Sequence, residues 1–344
     1  AEVKLKNKET EKIEKISLNL TILPLLNEDK DGRTDQTESF LGTLLMFEDI
    51  SSEKRMKSTM SKYMDPGIAD QLLGEGADLI GGLETTATLL FSDLRSFTNI
   101  TESLGAQGTV KLLNEYFEIM VECISEQGGM LDKFIGDAIM AAFGLPIAHD
   151  DDEDRAVKAG INMISRLWDW NEKRVKDGKP PLDMGLGLNT DKIVAGNIGS
   201  QKRMDYTMIG DGVNLAARLE SACKQYNARI LISDYTFKKL KGTYRIRYID
   251  DVIVKGKTEP VGVHEVLDYH NKDSFPNLMD VVNYFNEGRM NYKSGNFPKA
   301  IVSFQECLKA NKKDDLANTY INRCKKLIND NPRDWSGVWV MNKK

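Results

Sequence analysis

Two short apolar runs, each with an aspartate at one end, constrain the fold of this chain more than any other feature. The runs are Ala87–Phe91 and Ala138–Phe143, with Asp93 just after the first and Asp137 just before the second. Apolar runs of this length are typical of buried β-strands. A helical stretch and the pair Gly128-Gly129 separate them, so a strand, a helical crossover and a hairpin would bring the two carboxylates together. Paired carboxylates on strand ends are suited to holding divalent cations against phosphates, because hard cations prefer oxygen ligands.

The length and composition of the chain are typical of a globular protein with two or three domains. It has 344 residues, of which 41% are apolar and 29% charged, and a net charge of −5. These values give no electrostatic reason to expect binding to nucleic acid. No run of about 18 apolar residues is present, so no membrane span is predicted in this sequence. We expect a cytoplasmic protein, with membrane association through regions upstream of the chain left open.

The cysteines and histidines give no sign of a metal or disulfide framework. The cysteine spacing is irregular and lacks a CxxC pair, so we predict reduced residues of an intracellular protein. His149 precedes an acidic run that suits a solvated helix start rather than a metal site. The cysteines are Cys123, Cys223, Cys307 and Cys324.

The first 82 residues are predicted to form a small β-rich segment and a linker helix. Ile16–Leu26 and Phe40–Phe47 alternate in polarity around a polar loop, which predicts an antiparallel hairpin. With the helix start that follows, this pattern, ending in the residues FEDIS, resembles the C-terminal half of a PAS sensor domain and its signalling helix. We therefore predict a partial PAS-like segment over 1–52 and a signalling helix with a glycine-rich hinge over 53–82. An ordinary hairpin before a linker helix is the alternative.

Residues 83–270 alternate strands and helices and are predicted to form one α+β domain. Gly108–Gln127 and Asp150–Lys176 have the periodicity of amphipathic helices. Two short strands, Met184–Thr190 and Ile193–Ile198, are predicted on either side of a tight turn. The expected fold is a mainly antiparallel sheet with helices packed on one face.

The last segment, residues 271–344, is predicted to be helical. Its small and aromatic residues between Tyr284 and Cys307 have the spacing of one tetratricopeptide repeat, a helical hairpin, and Asp314–Asn329 would form a following helix. One repeat cannot bury its own apolar face, so we expect this tetratricopeptide-like tail to pack on the preceding domain or on a protein partner.

Four sequence patches occur in order across the central domain: Phe91–Thr98, Asp132–Gly144, Tyr206–Glu220 and Val254–Val261. Together they resemble the catalytic domain of class III nucleotide cyclases, most closely the bacterial and soluble adenylyl cyclase branch. The resemblance implies a ferredoxin-like βαββαβ core and an enzyme that converts ATP to 3′,5′-cyclic AMP and pyrophosphate in signal transduction.

The resemblance assigns metal and phosphate binding to the first two patches. Asp93 and Asp137, with the carbonyl of Leu94, would hold two divalent ions, Mg²⁺ or Mn²⁺. The alternative is that Asp93 caps the following helix and Asp137 lies in a hairpin turn. Backbone N–H groups at a helix start bind phosphate well, and the candidates are Ser96, Phe97 and Thr98.

Lys133 and Thr207 occupy the two positions that read the purine in this family. A lysine ammonium only donates hydrogen bonds, which suits the acceptor N1 of adenine, and a threonine hydroxyl can accept from the adenine amino group. Guanine has a donor at N1, so this pair implies ATP rather than GTP. Outside this context, a solvated lysine and a strand threonine would be the ordinary interpretation.

The two remaining patches supply residues for the ribose and the phosphates. Asn214 and Arg218 are four residues apart on a predicted helix and therefore share one face. The resemblance implies that the asparagine orients the ribose and that the arginine stabilises charge in the transition state. Lys255 is the candidate for binding the triphosphate, with Lys257 as the alternative.

Active sites of this family form between two catalytic domains, so the resemblance implies a homodimer with two equivalent sites. This chain carries residues for both half-sites. Three alternatives stay open: a guanylyl cyclase, a catalytically silent nucleotide-binding signalling dimer, and a tetratricopeptide-type scaffold whose cyclase-like domain only binds nucleotide.

Overall fold

The computed structural model describes residues 2–6, 13–27, 39–52, 54, 81–200, 202–252, 260–332 and 335–337. The chain divides into two compact units, residues 1–77 and 78–344. Within the described ranges, no helix combines the length and the hydrophobicity that crossing a bilayer requires.

The N-terminal unit contains a three-stranded antiparallel sheet in its described part. Strands β1 (Glu2–Lys6), β2 (Ile13–Asn27) and β3 (Ser39–Asp49) pair in that order. The predicted hairpin is present as β2 and β3, and β1 extends it as an edge strand. Helical backbone begins at Ser51, whose Oγ accepts a 2.8 Å hydrogen bond from the backbone N–H of Ser17. Most of the predicted signalling helix and hinge, residues 55–80, lies outside the described residues.

The second unit is built on one large sheet, which confirms the predicted α+β class. Among its described residues, eight strands run in the order β10-β11-β9-β7-β4-β6-β5, with β8 paired to β7. The pairing of β7 with β9 is parallel, and the other strand pairs are antiparallel. The strands are β4 (Gly81–Leu94), β5 (Met130–Ile135), β6 (Ala138–Phe143), β7 (Met184–Ser200), β8 (Arg203–Ile209), β9 (Ile230–Ser233), β10 (Ile246–Val252) and β11 (Val261–Val266).

Two long helices cover the apolar part of this sheet. Helix α1 (Phe97–Glu126) has a kink at Gly105, whose φ of 68° suits glycine, and α2 is Asp152–Lys176. Their buried residues recur at helical spacing and pack with the strands into one core. The shorter helices of the domain are α3 (Asp211–Tyr226) and α4 (Asp234–Phe237).

Strand β7 corrects the predicted pair of short strands around a turn. It is continuous from Met184 to Ser200, because β4 pairs with it from Met184 to Asn197 and β8 pairs with it from Val194 to Ser200. These ladders outweigh the local turn preference of Asp191-Lys192. The predicted hinge is also wrong at its end, since Gly82 belongs to β4 and a Cβ there would lie 2.1 Å from Val194 Cγ1.

The helical tail shares a hydrophobic core with the preceding sheet domain of this unit. Helices α5 (Leu278–Lys293) and α6 (Phe297–Ala310) form the predicted hairpin, and α7 (Asp315–Asp330) follows. Their buried side chains belong to the same cluster as those of α3, β10 and β11. The tail is therefore packed on the preceding domain, one of the two outcomes expected from its sequence. Its tetratricopeptide character stays a prediction.

Candidate active site

The two predicted metal aspartates meet at one end of the sheet. Strands β4 and β6 are antiparallel neighbours with Ser92 opposite Ile139, which places Asp93 beside the β5–β6 turn that carries Asp137. The two carboxyl groups are close enough to share a hydrogen bond. Burial, together with the negative charge of Asp93, raises the pKa of Asp137 above its ordinary value. This crowding of like charges is the electrostatic environment that a cation relieves.

The donor set at this point fits a hard divalent cation. Within the described part of the chain, no group of three or more His, Cys, Asp and Glu side chains has the arrangement of a metal site. Two carboxylates and a neighbouring carbonyl, that of Leu94, nevertheless match ions that keep several waters, as Mg²⁺ does. The oxygen-only donors exclude a soft-metal site.

Helix α3 supplies two charged neighbours of Asp93 that the sequence did not reveal. Lys224 Nζ lies 3.3 Å from Asp93 Oδ2. Glu220 is 8% exposed, and its Oε1 has no hydrogen-bond partner. Burial and the charge of Asp93 raise the pKa of Glu220 to about 7. Read along the sequence, Glu220 and Lys224 are an ordinary i, i+4 pair, so only their contact with β4 identifies them.

The predicted phosphate-binding residues form the start of helix α1. Ser96 is the N-cap residue, with a left-handed φ of 56° and no side-chain cap hydrogen bond, and Phe97 and Thr98 form the first turn. The alternative in which Asp93 caps this helix is therefore wrong. The turn is anchored by the backbone N–H of Arg95, which donates to the carbonyl of Asp183 at 2.8 Å.

The predicted purine-reading residues are in contact within one chain. Lys133 on β5 donates from Nζ to Oγ1 of Thr207 on β8 at 3.1 Å. Asp132, which the sequence analysis did not single out, has a buried side chain whose Oδ2 lies 3.5 Å from Lys133 Nζ. Its position next to Lys133 in the sequence gave no signal, because the contact with Thr207 depends on the fold.

Asn214 and Arg218 are both exposed on helix α3, whose opposite face packs on the sheet. The packing is close: a Cβ at Gly187 of β7 would lie 2.3 Å from the carbonyl oxygen of Ala216. The two predicted catalytic side chains thus share one solvent-facing side of a rigid helix. Lys255 and Lys257 lie outside the described residues, so their roles stay predictions.

Comparison with known proteins identifies the family of the central domain. The family model described as "Adenylate and Guanylate cyclase catalytic domain" matches residues 83–269. A Dictyostelium discoideum protein named "Adenylate cyclase, terminal-differentiation specific" is 35% identical over 280 residues, which are 78% of this chain and 13% of that protein. An "Adenylate cyclase" of Anabaena cylindrica is 38% identical over 186 residues, 52% of this chain and 36% of that protein.

Among solved structures, that of the adenylyl cyclase CyaB from P. aeruginosa is 36% identical, with a TM-score of 0.51, and covers 56% of this chain and 98% of that one. The chain spans well under half of the length of the two curated relatives. Since the family model covers more than half of the chain, this chain belongs to the family of adenylate and guanylate cyclase catalytic domains.

Proposed function

We propose that this protein is an adenylyl cyclase that converts ATP to 3′,5′-cyclic AMP and pyrophosphate. The observation that carries this proposal is the 3.1 Å contact between Lys133 and Thr207. The ammonium donates to N1 of adenine and is mismatched with the N–H at N1 of guanine. The names of the curated relatives from D. discoideum and A. cylindrica support the same substrate.

The residues around Asp93 and Asp137 would carry the chemistry. These carboxylates and the Leu94 carbonyl would hold two divalent ions, Mg²⁺ or Mn²⁺, which lower the pKa of the ribose 3′-hydroxyl and neutralise the triphosphate. A carboxylate oxygen of Asp93, or solvent, takes the 3′-hydroxyl proton. The 3′ oxygen then bonds to the α-phosphorus as the bond to the β-phosphate oxygen breaks and pyrophosphate leaves.

The remaining side chains would orient the nucleotide and stabilise charge. Backbone N–H groups of Ser96, Phe97 and Thr98 bind phosphate at the start of helix α1. Asn214 orients the ribose, and Arg218 donates to the phosphates as negative charge develops. Lys255 adds a positive charge near the triphosphate.

The active unit is proposed to be a homodimer in which one subunit contributes the aspartates and the other contributes the purine readers together with Asn214 and Arg218. The exposure of Asn214 and Arg218 on α3 supports this, because both side chains lie on a surface that a second chain can reach. Mixing an Asp93→Ala chain with an Arg218→Ala chain should restore activity by leaving one intact site per heterodimer. Absence of any recovery would contradict the shared site.

The flanking segments are proposed to serve signal transduction. Residues 1–52 would be a PAS-like sensor remnant, 53–80 the signalling helix and hinge, and 271–344 a tetratricopeptide-like tail that binds a protein partner. A cytoplasmic location is proposed with them.

One assay tests the activity. The purified chain is incubated with ATP or GTP and Mg²⁺ or Mn²⁺, and the products are separated by chromatography. Cyclic AMP formed in preference to cyclic GMP supports the proposal. Preference for GTP would favour a guanylyl cyclase, and no cyclic product from either nucleotide would favour a silent binding module. The Asp93→Asn variant, which keeps the shape of the side chain, controls for contaminating cyclases.

A further inference from the structure

The carboxylate of Asp132, beside the Lys133–Thr207 pair, has no role in the proposed reaction. The Asp132 side chain is 1% exposed, and its Oδ2 lies 3.5 Å from Lys133 Nζ. The Thr207 hydroxyl donates to the same Oδ2 at 3.4 Å. Its other oxygen, Oδ1, has no hydrogen-bond partner. An unpaired buried carboxylate oxygen destabilises a fold, and burial raises the pKa of Asp132 accordingly. Stability does not explain this residue.

Neutralising Lys133 does not explain it either. The Lys133 side chain is 41% exposed, so water already solvates much of its ammonium group. An exposed lysine gains little from an ion pair, whereas the buried aspartate loses its hydration. The contact that distinguishes Asp132 is the one to the Thr207 hydroxyl.

That contact determines which way the hydroxyl points. A threonine hydroxyl has one proton to donate and two lone pairs that accept. Lys133 can only donate, so its bond occupies one lone pair of Thr207. An ionised Asp132 can only accept, so it takes the Thr207 proton. One lone pair is left to face a ligand, and the hydroxyl is presented as an acceptor.

We propose that Asp132 is a positioning residue that makes the cyclase selective for adenine by holding the Thr207 hydroxyl as an acceptor. Position 6 of adenine carries an amino group, which donates to that lone pair. Position 6 of guanine and of hypoxanthine carries a carbonyl oxygen, which needs a donor and meets a lone pair instead. The inference rests on the proposed function, since it requires that the Lys133–Thr207 pair faces the purine.

The direct test is Asp132→Asn, which keeps the side-chain shape and removes the charge. The asparagine amide can donate to Thr207 Oγ1, and the hydroxyl proton is then free to turn toward a carbonyl at position 6. Inosine triphosphate (ITP) is the informative competitor because it differs from GTP by lacking the 2-amino group. We expect the ratio of kcat/KM for ATP to that for ITP to fall about tenfold, the effect of one hydrogen bond. An unchanged ratio, or an equal loss with both nucleotides, would overturn the inference.

Variants of Thr207 separate orientation of its hydroxyl from a general effect of charge. Thr207→Val should lose a similar factor of selectivity, and adding Asp132→Asn to it should change nothing further. Thr207→Ser keeps the hydroxyl and should keep both the selectivity and its dependence on Asp132. Asp205 lies two residues before Thr207 in the sequence, and its charge also acts on Asp132. The control variant Asp205→Asn removes that charge and should leave the ATP-to-ITP ratio unchanged. A full effect of Asp132→Asn in the Thr207→Val background would refute the orienting role.

Equilibrium binding distinguishes failure of this inference from failure of the proposed activity. Binding of ATP and of ITP to each variant is measured by titration calorimetry. If the wild-type chain forms no cyclic nucleotide, the proposed activity fails, and the ratio of the two dissociation constants still decides the role of Asp132. A wild-type chain that binds ATP and ITP equally well would overturn the inference.

Discussion

Removing Asp314 should destabilise the catalytic domain together with the tail. Arg247 on β10 is buried and donates from Nη1 to both carboxylate oxygens of Asp314 at 2.9 and 3.0 Å. It also donates from Nε to Glu265 on β11 at 2.7 Å. Asp314 thus joins the start of helix α7 to an arginine inside the sheet, and Asp314→Ala would leave that arginine short of one buried partner.

The size of the effect follows from burial. Breaking a buried ion pair by deleting one partner costs about 3–5 kcal/mol, and we expect about 3 kcal/mol because Glu265 still pairs with Arg247. For a domain of this size, 1 kcal/mol corresponds to about 2–4 °C in Tm, so the transition should fall by about 6–12 °C. The adjacent Asp315 pairs with Asn227 at an exposed position, and Asp315→Ala should cost about 0–1 kcal/mol.

Calorimetry and urea denaturation of the complete chain measure both variants. The shared core predicts that the tail and the catalytic domain melt in one transition and that Asp314→Ala shifts this transition as a whole. Two separate transitions, with only the smaller one moved by Asp314→Ala, would refute the conclusion that the tail is part of this domain. So would equal stabilities of the Asp314→Ala and Asp315→Ala chains.

Three further predictions follow from the site and its support. Because the native pKa of Glu220 is raised to about 7, its contribution to stability is present below about pH 4.5 and is lost as the pH rises through 7. The free energy of unfolding of Glu220→Gln, relative to that of wild type, should therefore rise by about 3 kcal/mol as the pH increases from 4.5 to 8. Urea denaturation with a chelator present measures this difference, and a difference that does not depend on pH would contradict the prediction. Asp137→Asn removes repulsion with Asp93, so it should raise Tm without metal while lowering kcat by about 10²–10³; unchanged kcat would exclude a metal role. Gly187→Ala places a Cβ against the Ala216 carbonyl and should cost about 1–3 kcal/mol in urea denaturation, whereas unchanged stability would contradict the close packing.

The candidate site was predicted from sequence to the extent that its residues lie in contiguous patches. Asp93 follows one apolar run and Asp137 precedes another, so antiparallel pairing of the two strands was enough to bring them together. Lys133 and Thr207 were found through the family resemblance, and the structure places them in contact. Asp132 was not found, since its partner Thr207 is 75 residues away in the chain.

The local sequence pattern also gave a wrong prediction where pairing with a distant strand determines the conformation of the backbone. The dipeptide Asp191-Lys192 has turn character, yet it continues strand β7 because Ala87 and Thr86 of β4 pair with it. The same pairing draws Gly82 into a strand although its neighbours in the sequence indicate a hinge. Each such ladder adds hydrogen bonds and cross-strand contacts, and their combined stabilisation exceeds the small free-energy preference of a single residue for a turn.

By itself, the sequence determined the alternation of strands and helices in the central domain, the position of both carboxylates at strand ends and the helical character of the tail. These follow from hydrophobic periodicity, which local residues carry. Only the tertiary structure decided that Glu220 and Lys224 lie beside Asp93, that the tail completes the core around Arg247, and that Thr207 donates a hydrogen bond to Asp132. Each of these depends on side chains that are distant along the chain and meet only when the sheet, helix α3 and the tail pack together.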